Sequence, residues 1–98
     1  MAEHAVLVRI PSAAGLSVDW DSIEAPLFKA INAAGVGELD GHEVNLQDGS
    51  VTFYMYGPDA DRLHEIVRPV LRDAELPAGT TVVRRYGGPG AEQVATEL

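Results

Sequence analysis

Two strand-like runs separated by Asp48-Gly49 constrain this chain more than any other feature of it. The stretch from Val36 to Leu71 reads as a polar-apolar run ending at Leu46, then Gln-Asp-Gly-Ser, then Val51-Thr-Phe-Tyr-Met-Tyr56, then Gly57-Pro58-Asp59 and an apolar-striped segment. Asp-Gly suits a two-residue hairpin turn because both central positions need positive φ. A turn that tight fixes the register by counting outward. Leu46 then faces Val51, Asn45 faces Thr52, Val44 faces Phe53, Glu43 faces Tyr54, His42 faces Met55 and Gly41 faces Tyr56. Alternation sends Leu46, Val44, Val51, Phe53 and Met55 to a core, with His42 at its edge. It sends Glu43, Asn45, Gly41, Thr52, Tyr54 and Tyr56 to the other face, with the Tyr56 ring expected over the bare Gly41 backbone.

The elements on either side complete a pattern. His4–Ile10 is rich in β-branched residues and closes at Pro11. Its Val6, Val8 and Ile10 share one face, and Ala5, Leu7 and Arg9 the other, as suits a central strand. Ser12–Trp20 reads as a loop. Asp21-Ser22-Ile23-Glu24 has capping-box spacing, and Ile23, Leu27, Ile31 and Ala34 follow at helical intervals. Pro26 sits early enough that the helix could begin there, and Gly35 supplies the left-handed stop. Asp59 is the expected cap of a second helix, with Asp61 placed for its dipole. Leu63, Ile66, Val67, Val70 and Leu71 form its stripe, and Pro69 predicts a kink or break near 65–68. Thr80–Tyr86 is a last strand whose facing is ambiguous. Gly87-Gly88-Pro89-Gly90 closes the compact domain, 1–90, and Ala91–Leu98 is a tail.

Strand, helix, strand, strand, helix, strand is the order of a ferredoxin-like βαββαβ split sandwich of the α+β class. It predicts a four-stranded antiparallel sheet with both helices on one face, strands one and three central and strands two and four at the edges. The uncovered face then carries Arg9, Glu43, Tyr54, Tyr56 and one of Arg84 or Arg85. Tyrosines and arginines with few lysines match interface composition, though a solvated antiparallel face also accepts them.

The segments 37–43 (Gly-Glu-Leu-Asp-Gly-His-Glu), 54–63 (Tyr-Met-Tyr-Gly-Pro-Asp-Ala-Asp-Arg-Leu) and 69–71 (Pro-Val-Leu) resemble a family of small, uncharacterised bacterial proteins. The resemblance implies a compact α+β domain and a bacterial source. It implies no activity and no catalytic residues.

Composition bounds the function. Fifteen acids against seven bases give 98 residues a net charge of −8, which opposes binding to nucleic acid and to anionic membranes. There is no cysteine, so disulfides, thiolate metal sites and thiol nucleophiles are excluded. No secretion signal or membrane helix is legible, so the expected location is cytoplasmic. Asp40, His42 and Glu43 invite a metal or acid-base reading, but alternation puts Asp40 and His42 on one side and Glu43 on the other. Asp59 and Asp61 have capping and dipole roles. Gly87–Gly90 lacks the Lys-Ser/Thr of a phosphate loop, and no Gly-x-Ser-x-Gly elbow occurs. No catalytic residue, metal or cofactor is therefore expected. The leading expectation is an acidic, non-enzymatic binding module that self-associates as a dimer or docks a partner protein through the open face, with Arg9, Glu43, Tyr54, Tyr56, Arg84 and Arg85 as its binding residues. The alternative is a small enzyme or ligand-binding protein of the dimeric α+β type, with a pocket on the sheet and a small-molecule ligand of unknown identity.

Overall fold

The computed structural model describes residues 3–11 and 20–98. Of the loop expected over Ser12–Trp20, residues 12–19 therefore lie outside the described residues, and Trp20 belongs to the first helix instead. Within them the elements are β1 (His4–Ile10), α1 (Trp20–Ala34), β2 (Glu38–Val44), β3 (Val51–Gly57), α2 (Ala60–Asp73), β4 (Thr81–Arg85) and β5 (Gln93–Glu97). The protein is α+β, with one antiparallel sheet in the order β2-β3-β1-β4-β5. β1 and β3 are interior, as the apolar runs predict.

The sheet has five strands, not four. The expected tail forms β5 by pairing with β4, and Gly87–Gly90 belongs to the turn between them rather than to the end of the domain. Tyr86 N donates to the Glu92 carbonyl at 2.9 Å and Ala91 N to that of Gly88 at 3.0 Å, closing this second hairpin. β4 is consequently an interior strand. All five residues of β5 are exposed, so the segment carries no buried apolar face that could have announced it.

Val6, Val8 and Ile10 of β1, Val51, Phe53 and Met55 of β3, and Val82 of β4 form one core. It is shared with Ile23, Leu27 and Ile31 of α1 and Leu63, Val67 and Leu71 of α2, so both helices cover the same face. α1 begins at Trp20, so Asp21 lies in its first turn rather than capping it, and Pro26 is interior rather than initial. Gly35 (φ +64°) ends α1 as expected; its N–H and that of Val36 both return to the Ile31 carbonyl. α2 runs unbroken past Pro69.

The start of α2 satisfies every backbone donor of its first turn. Asp59 is extended (φ −143°, ψ 106°) and its carboxylate accepts from Asp61 N at 3.0 Å and Arg62 N at 3.3 Å. Its carbonyl takes Leu63 N, and His4 Nδ1 takes Ala60 N at 3.1 Å. His4, silent in the sequence, thus ties the first strand to the second helix through an imidazole nitrogen that must keep its lone pair.

The β2–β3 connection is wider than Asp-Gly predicts. Asn45 Oδ1 accepts from Gln47 N, Asp48 Oδ1 from Ser50 N, and the Asn45 carbonyl from Gly49 N, so two Asx side chains build a longer loop. The last paired residues are Val44 and Val51. The register moves by two residues, and Gly41 lies opposite Tyr54 rather than Tyr56. A two-residue slip preserves facing, so Glu43 and Tyr54 keep the side assigned to them. Leu46 does not reach the core; it is 93% exposed, and Val44 is 43% exposed at the end of its strand. A bulge between Leu39 and Gly41 then reverses the alternation, setting Leu39 opposite Met55 and Glu38 opposite Tyr56.

Where β2 enters beside the end of β3, two backbones touch. A Cβ on Gly57 would strike the Val36 carbonyl, and one on Gly37 the Tyr56 carbonyl. In urea denaturation, Gly57→Ala is expected to cost about 1–3 kcal/mol, and Asp59→Ala about 1 kcal/mol through the lost cap. A Gly57→Ala variant as stable as wild type would contradict the close approach.

Candidate functional site: the open face of the sheet

The helices leave the second face of the sheet bare, and the pairings arrange it in three cross-strand rows. Gly41, Tyr54, Leu7, Val83 and Ala95 make the middle row. Glu43, Thr52, Arg9, Thr81 and Glu97 run along one side of it, and Glu38, Tyr56, Ala5, Arg85 and Gln93 along the other. The middle row is apolar and aromatic. The flanking rows hold three acids and two bases, so this face is close to neutral on a chain of net charge −8.

Arg9, Glu43, Tyr54, Tyr56 and Arg85 all lie on this face. Arg84 does not. Val82 is buried under the helices, alternation puts Arg84 on its side, and Arg84 Nη1 donates to Asp61 Oδ1 of α2 at 3.0 Å. Asp61 also accepts the Tyr86 hydroxyl at 2.6 Å, so it fastens β4 to α2 in addition to occupying the first helical turn. These two bonds hold its carboxyl below its ordinary 3.8, the Tyr86 bond contributing most. Sequence alone could not choose between Arg84 and Arg85, because Val82 and Val83 offer either face an apolar neighbour.

Arg85 Nε donates to the Gly87 carbonyl at 3.0 Å, which anchors it against the β4–β5 turn. The Tyr54 hydroxyl reaches Glu43 Oε2 at 3.4 Å. Burial, and then the Glu43 charge, push the Tyr54 phenol above its ordinary 10. Beside this pair the β2–β3 loop overhangs the sheet and bounds a groove of about 660 Å³, with Leu7, Arg9, Tyr54 and Gln93 in its lining and Leu46 in its wall. Tyr56 and Arg85 lie outside that groove. Leu46 is the contributor the sequence misplaced: the assumed tight turn sent it inward.

Asp40, His42 and Glu43 separate. Asp40 is the extra residue of the bulge, Glu43 faces the open side, and His42 packs on Phe53 (ring centroids 5.3 Å apart) and bonds Glu24 of α1. His42 therefore fastens β2 to α1. No cluster of three or more His, Cys, Asp or Glu side chains suited to a metal ion forms among the described residues. No helix among them is long and apolar enough to cross a membrane. The chain matches no family model, no curated protein and no solved structure.

A raised phenol pKa means that the folded state holds the proton more tightly than the unfolded one. Stability from Tyr54 is therefore present below pH 10 and lost as pH rises through the folded value. Site-resolved NMR titration of the tyrosine rings is expected to place Tyr54 above 10, with Glu43→Gln returning it part of the way. An unchanged Tyr54 midpoint in Glu43→Gln would remove Glu43 from this pair.

Proposed function

We propose that the protein is a small non-enzymatic binding module whose open sheet face docks a second copy of the same chain. The observation that carries this reading is the apolar middle row, Tyr54-Leu7-Val83-Ala95, bordered by rows of both charge signs. Docked patches place apolar and aromatic groups centrally and charge at the rim. A partner chosen by charge would call for a face of one sign. A nearly neutral, mixed face instead lets two strongly acidic chains approach where their repulsion is least. The arrangement β1–α1–β2–β3–α2–β4, with β1 between β3 and β4, supports reading the domain as a ferredoxin-like split sandwich extended by one strand. The resemblance of segments 37–43, 54–63 and 69–71 to small bacterial proteins belongs to the same reading, as does a cytoplasmic location.

The groove under Leu46 favours a second reading, a site for a small polar molecule oriented by Arg9, Glu43 and Tyr54. Docking of a second copy would roof this groove, so the two readings are compatible in space.

Light scattering across a concentration series is expected to show the mass of a dimer, and Tyr54→Ala/Tyr56→Ala is expected to give a monomer. Each buried tyrosine at such a centre contributes on the order of 2 kcal/mol. A wild-type monomer at all concentrations, with no protein captured in a tyrosine-dependent manner, overturns the docking reading. Capture of a different protein by wild type but not by the double variant would replace the second copy with that partner.

A further inference from the structure

Two helices are too narrow for five strands. α1 packs on β2 and on α2, while α2 packs on β1, β3 and β4; neither packs on β5. The helix-side residues of β5 therefore stand uncovered, and Val94 is 40% exposed. Between α2 and the ledge made by β4 and β5 lies a cleft of about 390 Å³. His64, Arg68 and Arg72 of α2 and Arg84 of β4 line it, together with Val82, Thr96, Glu97 and Leu98.

This concentration of positive charge works against the fold. His64, Arg68 and Arg72 recur at four-residue spacing, so they stand one above another on the helix, and the Arg68 and Arg72 charges repel. The arginine–carboxylate pairs among the described residues are Arg62–Glu65 and Arg84–Asp61, so neither Arg68 nor Arg72 has a carboxylate of those residues within pairing distance. Arg84 keeps one bond to Asp61, yet its Nε is buried with no acceptor. In a chain with fifteen acids, Arg68 and Arg72 stand exposed side by side with no carboxylate partner among the described residues, and such local conflicts mark functional positions.

We propose that this cleft binds a small phosphate-bearing molecule, its oxyanion held by the Arg68 and Arg72 guanidiniums with His64 and Arg84 adding positive potential. Guanidinium forks match phosphate oxygens in pairs. The volume, about 390 Å³, exceeds that of a bare ion and falls in the range of about 300–1,000 Å³ usual for small-molecule sites, leaving room for an organic portion against Thr96 and Leu98. The site lies on the side of the sheet opposite the docking face and does not depend on it. Burial, then Arg84 and Arg68, hold the His64 imidazole below its ordinary 6.5, with Asp61 opposing. Glu97, from β5, is the one acid among the lining residues, and its pairing with Thr81 puts it in the open-face row rather than among the helix-side residues of β5. An oxyanion seated here adds negative charge beside His64 and favours its protonated form.

The test is NMR titration of the full chain at constant ionic strength, with inorganic phosphate in one series and ribose 5-phosphate in another. Saturable shifts confined to residues 64–72, 82–84 and 94–98, together with an upward move of the His64 titration midpoint, are expected with ribose 5-phosphate. Saturation by inorganic phosphate alone would restrict the site to the free anion and overturn the part of the proposal that seats an organic group. Arg68→Gln/Arg72→Gln is expected to weaken binding about tenfold or more, while Lys29→Gln on α1 leaves it unchanged. Arg68→Lys/Arg72→Lys keeps the charge and removes the forks; it is expected to fold as wild type and bind more weakly, which keeps the proposal testable if the glutamine pair does not fold. Shifts that fail to saturate, that spread over all arginines, or that persist at wild-type affinity in both double variants overturn it.

Discussion

The hydrogen bonding of β1 on both its edges is the constraint on which the rest of the structure depends. With β3 on one side and β4 on the other, β1 has no exposed backbone edge, and Val6, Val8 and Ile10 are completely buried beneath the helices. Each such side chain withdrawn from water contributes roughly 1.5–3 kcal/mol before its ordering cost. The same strand sets the opposite face, because the residues between those three are Leu7 and Arg9. The apolar middle row and the charged row beside it are the reverse side of the core.

How legible this was depended on whether the determining contact was local. The helices and β1 could be read because their burial repeats at intervals of three to four or of two residues. Asp59 could be read because capping is a contact with the next few residues. The β2–β3 register could not, because Asn45 and Asp48 compete for the turn backbone and the bulge at Asp40 leaves no compositional mark. β5 could not, because a polar edge strand with no covered face is compositionally indistinguishable from a tail. For the candidate site, Glu43, Tyr54 and Tyr56 were assigned to the open side correctly even though the register was off, since a slip of two preserves facing. The choice between Arg84 and Arg85 required knowing that α2 lies over Val82.

Net charge describes this molecule poorly. The acids Asp21, Glu24, Glu38, Asp40 and Glu43 lie on α1 and β2, at one end of the sheet, while Arg68, Arg72 and Arg84 gather between α2 and β4 near the other. A chain with a total of −8 thus has an acidic end, a basic cleft and a nearly balanced face. At physiological ionic strength, charges more than about 8 Å apart are largely screened from one another. What meets a ligand is therefore the local group, not the sum.

The placement of the earliest strand in the middle of the sheet has a consequence for how the chain is made. As residues emerge from a ribosome in order, β1 has no lateral partner until β3 has followed it, and its second edge stays open until β4 arrives. The bond from Ala60 N to His4 Nδ1 spans fifty-six positions of sequence, so even the first turn of α2 is completed by a residue synthesised long before it. Loop closure over such spans precedes its reward. Between the emergence of β1 and that of β3 the nascent chain carries an apolar, β-branched segment unpaired, and the second edge of that segment closes only once β4 has followed.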